Sequence, residues 1–492
     1  MDRESDDQSG SEEESSVVSS DLDEIDWART WDEREAIFER DLPRVRGNDP
    51  DVGHLCGYGN FGVIQNMTNE VWEGIGRDIS NNAYLEHLEI IDGALNDDTL
   101  SSLFRGLSRS SSIIDLELYN NEFSAAGVRS LEPFMQNSIN LRELHISHNN
   151  IEAEGFNILL QALCGSPIEL LYCIECGITS IEIEKVPTDL RLLSIGGNNI
   201  KSEGFNRLLQ SFSDGSVEIL NFFNCQMNIE SIEIDDDSIP RNLRSLSLLS
   251  NRIDANGCRR IAKLLEKGNS KLEKLILQKN LVDDEGVAIL VDALKTNVSL
   301  KTLNIKGNDG ISKKGRILVL KMLNDMSSIN STLQSNHTLQ TIDLGVKNGE
   351  IESCIFEAIR INRAYSTCLG AAGREKLILT QLHSKRRAEL VEIQGVESQS
   401  LYGEINPLHL PEVLSLVGRR HGRKELYLAL KASISDVIST VNRKLYLQRR
   451  RANHVAIVEE IDAELAEIES LRKGNTDDRN RNETRGNKRP RV

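Results

Sequence analysis

LRELHISHNNIEAEG, from Leu141 to Gly155, is the stretch on which the fold of this 492-residue chain turns. Apolar residues hold its first, fourth and sixth places, Asn its ninth and Gly its fifteenth. The same frame returns as LRLLSIGGNNIKSEG from Leu190, LRSLSLLSNRIDANG from Leu243 and LEKLILQKNLVDDEG from Leu272. Looser copies open at Leu85, Ile113, Ile168, Val217, Leu300 and Leu339, mostly about 28 residues apart. Self-similarity at this period predicts a stacked solenoid, because no single unit can bury its apolar side alone.

Within a unit, the Leu-x-x-Leu-x-Leu segment reads as a short strand with its leucines pointing inward. The Asn then sits in the bend, where its amide can both donate to and accept from unpaired backbone groups. The Gly opens a helix with apolar spacing i, i+3, i+4, i+7, as in Phe156, Leu159, Leu160 and Leu163. Phe205, Leu208, Leu209 and Phe212 repeat that pattern, as do Val287, Leu290, Val291 and Leu294. Two units depart from it. GITSIEIEKVPTDL after Cys176 and QMNIESIEIDDDSIPRNL after Cys225 lack a helical stripe, and extended returns are expected there. IEAEGFNILLQAL at Ile151 matches IKSEGFNRLLQSF at Ile200, which points to an internal duplication of about 50 residues.

Around the repeats the composition shifts. Residues 1–26 carry eleven carboxylates against Arg3 alone and are expected to be a disordered acidic arm. Residues 27–84 read as an N-terminal helical cap region. In it TNEVWEGIGRDIS forms a helix that Thr68 can cap, with Val71, Trp72, Ile75 and Ile79 as one apolar stripe. The repeats fill 85–348, and a C-terminal helical domain is expected over 349–447. A helix at 448–473 holds about two heptads of 3,4 spacing, a short coiled coil suited to weak self-association. A basic disordered tail covers 474–492.

The net charge of −18 and the pI near 5.1 argue against a general nucleic-acid grip. No run of about 18 apolar residues suggests a membrane span, and the acidic start lacks the order of a secretory signal. An intracellular protein, cytoplasmic or nuclear, with reduced cysteines and unglycosylated Asn-x-Ser/Thr triplets is therefore expected.

Several motifs imitate chemistry. GYGNFGVI from Gly57 resembles a kinase glycine loop, but the next lysine is Lys185, so it reads as a turn-rich loop. Cys173-x-x-Cys176 suggests redox or zinc chemistry. In the frame, however, Cys173 takes a core place and Cys176 the Asn place, where cysteine is a known alternative. His145 and His148 lack a third His or a Cys, so no metal or other cofactor is expected. No nucleophile elbow or phosphate loop occurs, and no catalytic residue is assigned. Lys488, Arg489, Pro490 and Arg491 resemble a nuclear import signal. In the acidic arm, Ser9, Ser11 and Ser20 each precede an acidic residue by three places, as an acid-directed kinase requires.

With places one, four and six inward, places three, five and seven must line the concave face of the sheet. The first strands present His87, Glu89, Asp115, Glu117, Tyr119, Glu143 and His145. The middle strands present Leu170, Tyr172, Ile174, Leu192, Ile219, Asn221, Phe223 and Leu249, and the last present Lys274, Gln278 and Lys306. This acidic-to-apolar-to-basic surface is the expected site for a protein partner.

The frame from Leu85 to Lys347 resembles the leucine-rich repeat family, and its helix-bearing units look most like the ribonuclease-inhibitor subfamily. SNHTLQTIDLG at Ser335 and LPEVLSLVGRRHG at Leu410 are similar to leucine-rich repeat proteins of diatoms. The resemblance implies an α/β fold: a curved right-handed solenoid with a parallel inner sheet and outer helices. Functions within that subfamily differ widely; the lack of a catalytic constellation and the graded concave surface lead to the expectation of a non-catalytic scaffold for protein–protein interaction. The alternative it offers is a GTPase regulator of the Ran-activating type, although in those proteins the acidic stretch follows the repeats.

Overall fold

The computed structural model describes residues 31–59, 64–183, 187–227, 240–266, 271–345, 349–377 and 384–395. The acidic arm, the helix at 448–473, the basic tail with Lys488 to Arg491, and most of the 349–447 domain lie outside them. The chain divides into two compact units. The first comprises Met1–Met322 with Thr338–Glu352, and the second Leu323–His337 with Ser353–Val492.

One parallel sheet of eleven strands runs through the first unit, each strand beside its neighbour in sequence. The strands are β1 (His54–Tyr58), β2 (His87–Ile91), β3 (Asp115–Glu117), β4 (Glu143–His145), β5 (Leu170–Tyr172) and β6 (Leu192–Ser194). They continue as β7 (Ile219–Asn221), β8 (Ser245–Ser247), β9 (Lys274–Ile276), β10 (Thr302–Asn304) and β11 (Thr341–Asp343). The helices are α1 (Trp31–Arg46), α2 (Asn69–Ser80), α3 (Asp97–Leu107), α4 (Ala125–Asn137) and α5 (Glu152–Ala162). After them come α6 (Lys201–Ser211), α7 (Ala255–Glu266), α8 (Asp284–Leu294) and α9 (Lys313–Leu323). This alternation is an α/β repeat solenoid. Leu144, Leu171 and Leu193 meet in register across β4, β5 and β6 and are fully buried. The helix stripe of Phe156, Leu159, Leu160 and Leu163 is buried too, at 2% exposure or less.

The ninth-place asparagines tie each turn to the one before it. Asn198 Oδ1 accepts from the Cys176 and Ile178 N–H groups at 2.9 and 3.0 Å. Its Nδ2 donates to the Cys173 and Ile195 carbonyls, both at 2.8 Å. Asn149, Asn251, Asn280 and Asn308 reach back in the same way, each accepting from the N–H of the preceding turn's ninth residue or the residue two beyond it. At Cys176 and Cys225 the donor half survives: the thiols lie 3.3 and 3.5 Å from the Ile146 and Ile195 carbonyls.

A second ladder occupies the second place of the frame. Arg142, Glu169, Arg191, Glu218, Arg244, Glu273 and Lys301 alternate in sign, with consecutive members 2.8–3.6 Å apart. Each pair is part-exposed and individually weak. The alternation matters more, because every charge in the row has an opposite neighbour.

Two readings of the N-terminal region are corrected. The stretch expected to be a turn-rich loop begins inside β1, where Leu55 pairs with Leu88. Val52-x-x-Leu55-x-Gly57 is a degenerate copy of the frame, hidden because glycine replaces the sixth-place leucine. The missing side chain is supplied from elsewhere: a Cβ on Gly57 would stand 2.9 Å from Ile64 and 3.1 Å from Phe38. Thr68 stands at the N-cap of α2 but makes no capping bond, and Val71 is exposed while Trp72, Ile75 and Ile79 are buried. Of the helix-free returns, the one between β5 and β6 holds no helix among the described residues. The other lies mainly in 228–239, outside them.

In the second unit are α10 (Ile329–Leu333), α11 (Glu350–Ala364, from Ser353 on), α12 (Leu369–Lys376) and α13 (Ser384–Gln394). Fully buried Lys376 donates from Nζ to the Leu323 and Asn336 carbonyls at 2.6 and 3.0 Å, and to His337 Nδ1 at 3.1 Å. His337 Nε2 lies 3.1 Å from the Leu333 carbonyl, which can only accept, so the proton sits on Nε2 and Nδ1 is an acceptor. Burial, then the Lys376 charge, lowers the His337 pKa to about 4, and burial lowers that of Lys376 to about 7.

Both groups are bases with depressed folded-state values, so the unfolded chain binds more protons. From pH 6.5 down to about 4 the His337 contribution to stability is progressively lost. From about 7 up to 10.5 the Lys376 contribution rises. Amide exchange over 323–337 and 353–377 is therefore expected to be faster at pH 5 than at pH 7.5, after correction for intrinsic rates. Equal protection at the two values would exclude this linkage.

Candidate functional site

Strand register arranges the sheet face opposite the helices into rows. Third-place residues follow one another as His54, His87, Asp115, Glu143, Leu170, Leu192 and Ile219. Fifth-place residues follow as Cys56, Glu89, Glu117, His145, Tyr172, Ser194 and Asn221. Parallel strands lie about 4.8 Å apart, so residues 22 to 33 apart in sequence become immediate neighbours.

At the β1–β4 end this places four carboxylates among three imidazoles. Glu89 receives His54 Nε2 at 3.1 Å and the Tyr58 hydroxyl at 2.8 Å, one on each oxygen. Burial opposes its charge, but these partners outweigh it and hold its pKa low, while bonding to Glu89 raises that of His54. His145 Nε2 meets Glu143 Oε1 at 2.7 Å, and its ring stacks on Tyr172 with centroids 3.8 Å apart. Burial disfavours the imidazolium, yet the Glu143 bond and the charge of Glu117 raise the His145 pKa overall.

The two acids between them are less well served. Asp115 Oδ2 lies 3.4 Å from His87 Nδ1, while its Oδ1 is buried without a hydrogen bond. Glu117 makes no hydrogen bond or ion pair among the described residues. Burial first, then the Asp115, Glu89 and Glu143 charges against the pull of His145, push its pKa up to about 7. Burial and Glu143 raise that of Asp115 as well.

The middle of the face is apolar. Leu170, Leu192 and Ile219 are half-buried in one row, with Ile174 and Phe223 beside them in the seventh place. The Phe223 ring lies against the Gly196 backbone, where no side chain intervenes. Three residues expected to be presented are covered instead: Tyr172 is 5% exposed, Leu249 3% and Gln278 6%. Tyr172 is closed over by the His145 ring, and Gln278 Oε1 is engaged by Asn304 Nδ2 at 2.9 Å. His87, Tyr119 and Lys306 are exposed, and Lys274 and Asn221 half-buried.

Cys173 and Cys176 are both fully buried. Burial, then the adjacent Cys176, pushes the Cys173 thiol far up, and burial raises Cys225 to about 12. Thiols held protonated in the core are poor nucleophiles and poor metal ligands. Among the described residues no helix is long and apolar enough to cross a membrane.

The leucine-rich repeat family model matches residues 137–156 and 296–319. The eleven-stranded sheet is built on that same frame, and its architecture is that of a leucine-rich repeat solenoid. No curated protein matches the sequence significantly. Among solved structures, the Rad7–Elc1 complex in yeast is similar at 14% identity and TM-score 0.35, covering 68% of this chain and 81% of that one. An internalin of Listeria monocytogenes is similar at 14% identity and TM-score 0.32, over 64% of this chain and 86% of that one. The leiomodin-1 actin-binding site 2 is similar at 17% identity and TM-score 0.24, over 30% and 80%.

Proposed function

We propose that the chain is a non-catalytic protein–protein interaction scaffold that holds its partner on the concave face of the repeat sheet. The observation that carries this reading is the in-register row Leu170–Leu192–Ile219 with Phe223 and Ile174 beside it, apolar and incompletely buried. A contiguous apolar patch with charged flanks is the usual anatomy of an interface core and rim. Helix-bearing units of about 28 residues support placement near the ribonuclease-inhibitor subfamily, and the residue resemblance supports a relation to diatom repeat proteins. No feature among the described residues favours the GTPase-regulator alternative.

Replacing both Leu192 and Ile219 with Glu tests the reading. Partners co-purified with the full chain and identified by mass spectrometry are expected to fall at least about ten-fold, as for loss of interface hot spots, while the thermal unfolding midpoint stays near that of the parent. Undiminished recovery would place the interface elsewhere. Stimulation of GTP hydrolysis by small GTPases at low stoichiometry would overturn the non-catalytic assignment.

A further inference from the structure

Asp115, Glu143 and His145 have donor atoms that all lie within 4.8 Å of one another on adjacent strands β3 and β4. We propose that these three residues form a binding site for a divalent transition-metal ion of the zinc class. The proposal is independent of the partner-binding reading.

Three observations converge on it. The His145 ring already turns Nε2 towards the carboxylates, at 2.7 Å from Glu143, and stacking on buried Tyr172 fixes its plane. Metal-binding imidazoles need their orientation held in this way. Asp115, one of the three, has its Oδ1 buried without a hydrogen bond, and a buried oxygen left so is costly unless a ligand completes it. Glu117 pairs in register with His145 and makes no ion pair among the described residues, so a further carboxyl stands beside the trio. By contrast, the second-place charges of Arg142 to Lys301 neutralise one another.

The donor set selects the ion. One imidazole nitrogen with carboxylate oxygens suits zinc, whose bonds to such ligands are about 2.0–2.2 Å. Magnesium and calcium favour all-oxygen shells. A neighbouring trio, His54, Cys56 and Glu89, also brings donor atoms together. There, however, one Glu89 oxygen is already taken by the Tyr58 hydroxyl, which is outside the trio.

The test uses the full chain, freed of metal by chelator and titrated calorimetrically with Zn2+ and separately with Mg2+. The wild type is expected to take up one equivalent of Zn2+ in preference to Mg2+. Asp115→Asn combined with Glu143→Gln preserves shape and is expected to weaken that binding at least about ten-fold, as is His145→Ala. His54→Ala is expected to leave it within about two-fold. Binding of Co2+ in place of Zn2+ should give visible absorption bands that the carboxamide variant lacks. Equal Zn2+ affinity in wild type and carboxamide variant overturns the proposal. So does binding that is lost in His54→Ala, or no binding by a wild type whose fold is confirmed by circular dichroism.

Discussion

Asn198→Ala is expected to destabilise the repeat unit by roughly 3 kcal/mol or more, since each buried partner left unsatisfied costs about 1–3 kcal/mol. Asn198 is 1% exposed, and its amide serves two N–H groups and two main carbonyls at 2.8–3.0 Å. Those groups belong to two successive turns, so alanine breaks the link between repeats as well as the bend. Asn198→Cys is expected to cost less, because Cys176 and Cys225 keep a thiol contact to the preceding carbonyl from the same place. Urea unfolding followed by circular dichroism orders the three proteins. If alanine and cysteine prove equally mild, the ladder is not a determinant of stability.

Gly106→Ala comes next in expected size. Helix propensity alone favours alanine over a mid-helix glycine by about 1 kcal/mol. Packing decides the other way. A Cβ on Gly106 of α3 would stand 2.7 Å from the Arg77 nitrogen and 2.8 Å from the Gly76 carbonyl carbon of α2, and nearer still to the Glu73 oxygen. All three are backbone atoms, which cannot swing aside as a side-chain end would. A net loss of about 2–3 kcal/mol is expected from overpacking, seen as a lower midpoint in thermal unfolding. Gly74→Ala on α2 is the control. No atom lies within 4 Å of its Cβ, so propensity should win and stability should rise slightly.

The frame made most of the first unit readable. Leu144 and Asn149 recur at fixed places because one backbone path is used repeatedly. It also assigned Cys173 and Cys176 to the core and the bend, where they are found. The same method missed β1, since Gly57 removes the leucine by which the frame is recognised and Phe38, from a helix sixteen residues long, fills the gap. Along the chain His145 stands beside His148, whereas the donor groups within 4.8 Å of it are Asp115 and Glu143, which become neighbours only when adjacent repeats are laid in register.

By itself, then, the sequence determined the solenoid, its period, and which side chains face inward, because periodicity of apolar residues and burial are two descriptions of one repeating geometry. Tertiary structure alone decided which outward-facing groups touch. That Tyr172 lies under the His145 ring, that Glu117 sits among carboxylates with no bonding partner among the described residues, and that Arg142 to Lys301 pair off by sign all depend on spacings of a few ångströms between strands. Charge and hydrogen bonding vary steeply over such distances, whereas the repeat pattern records only which way each side chain points.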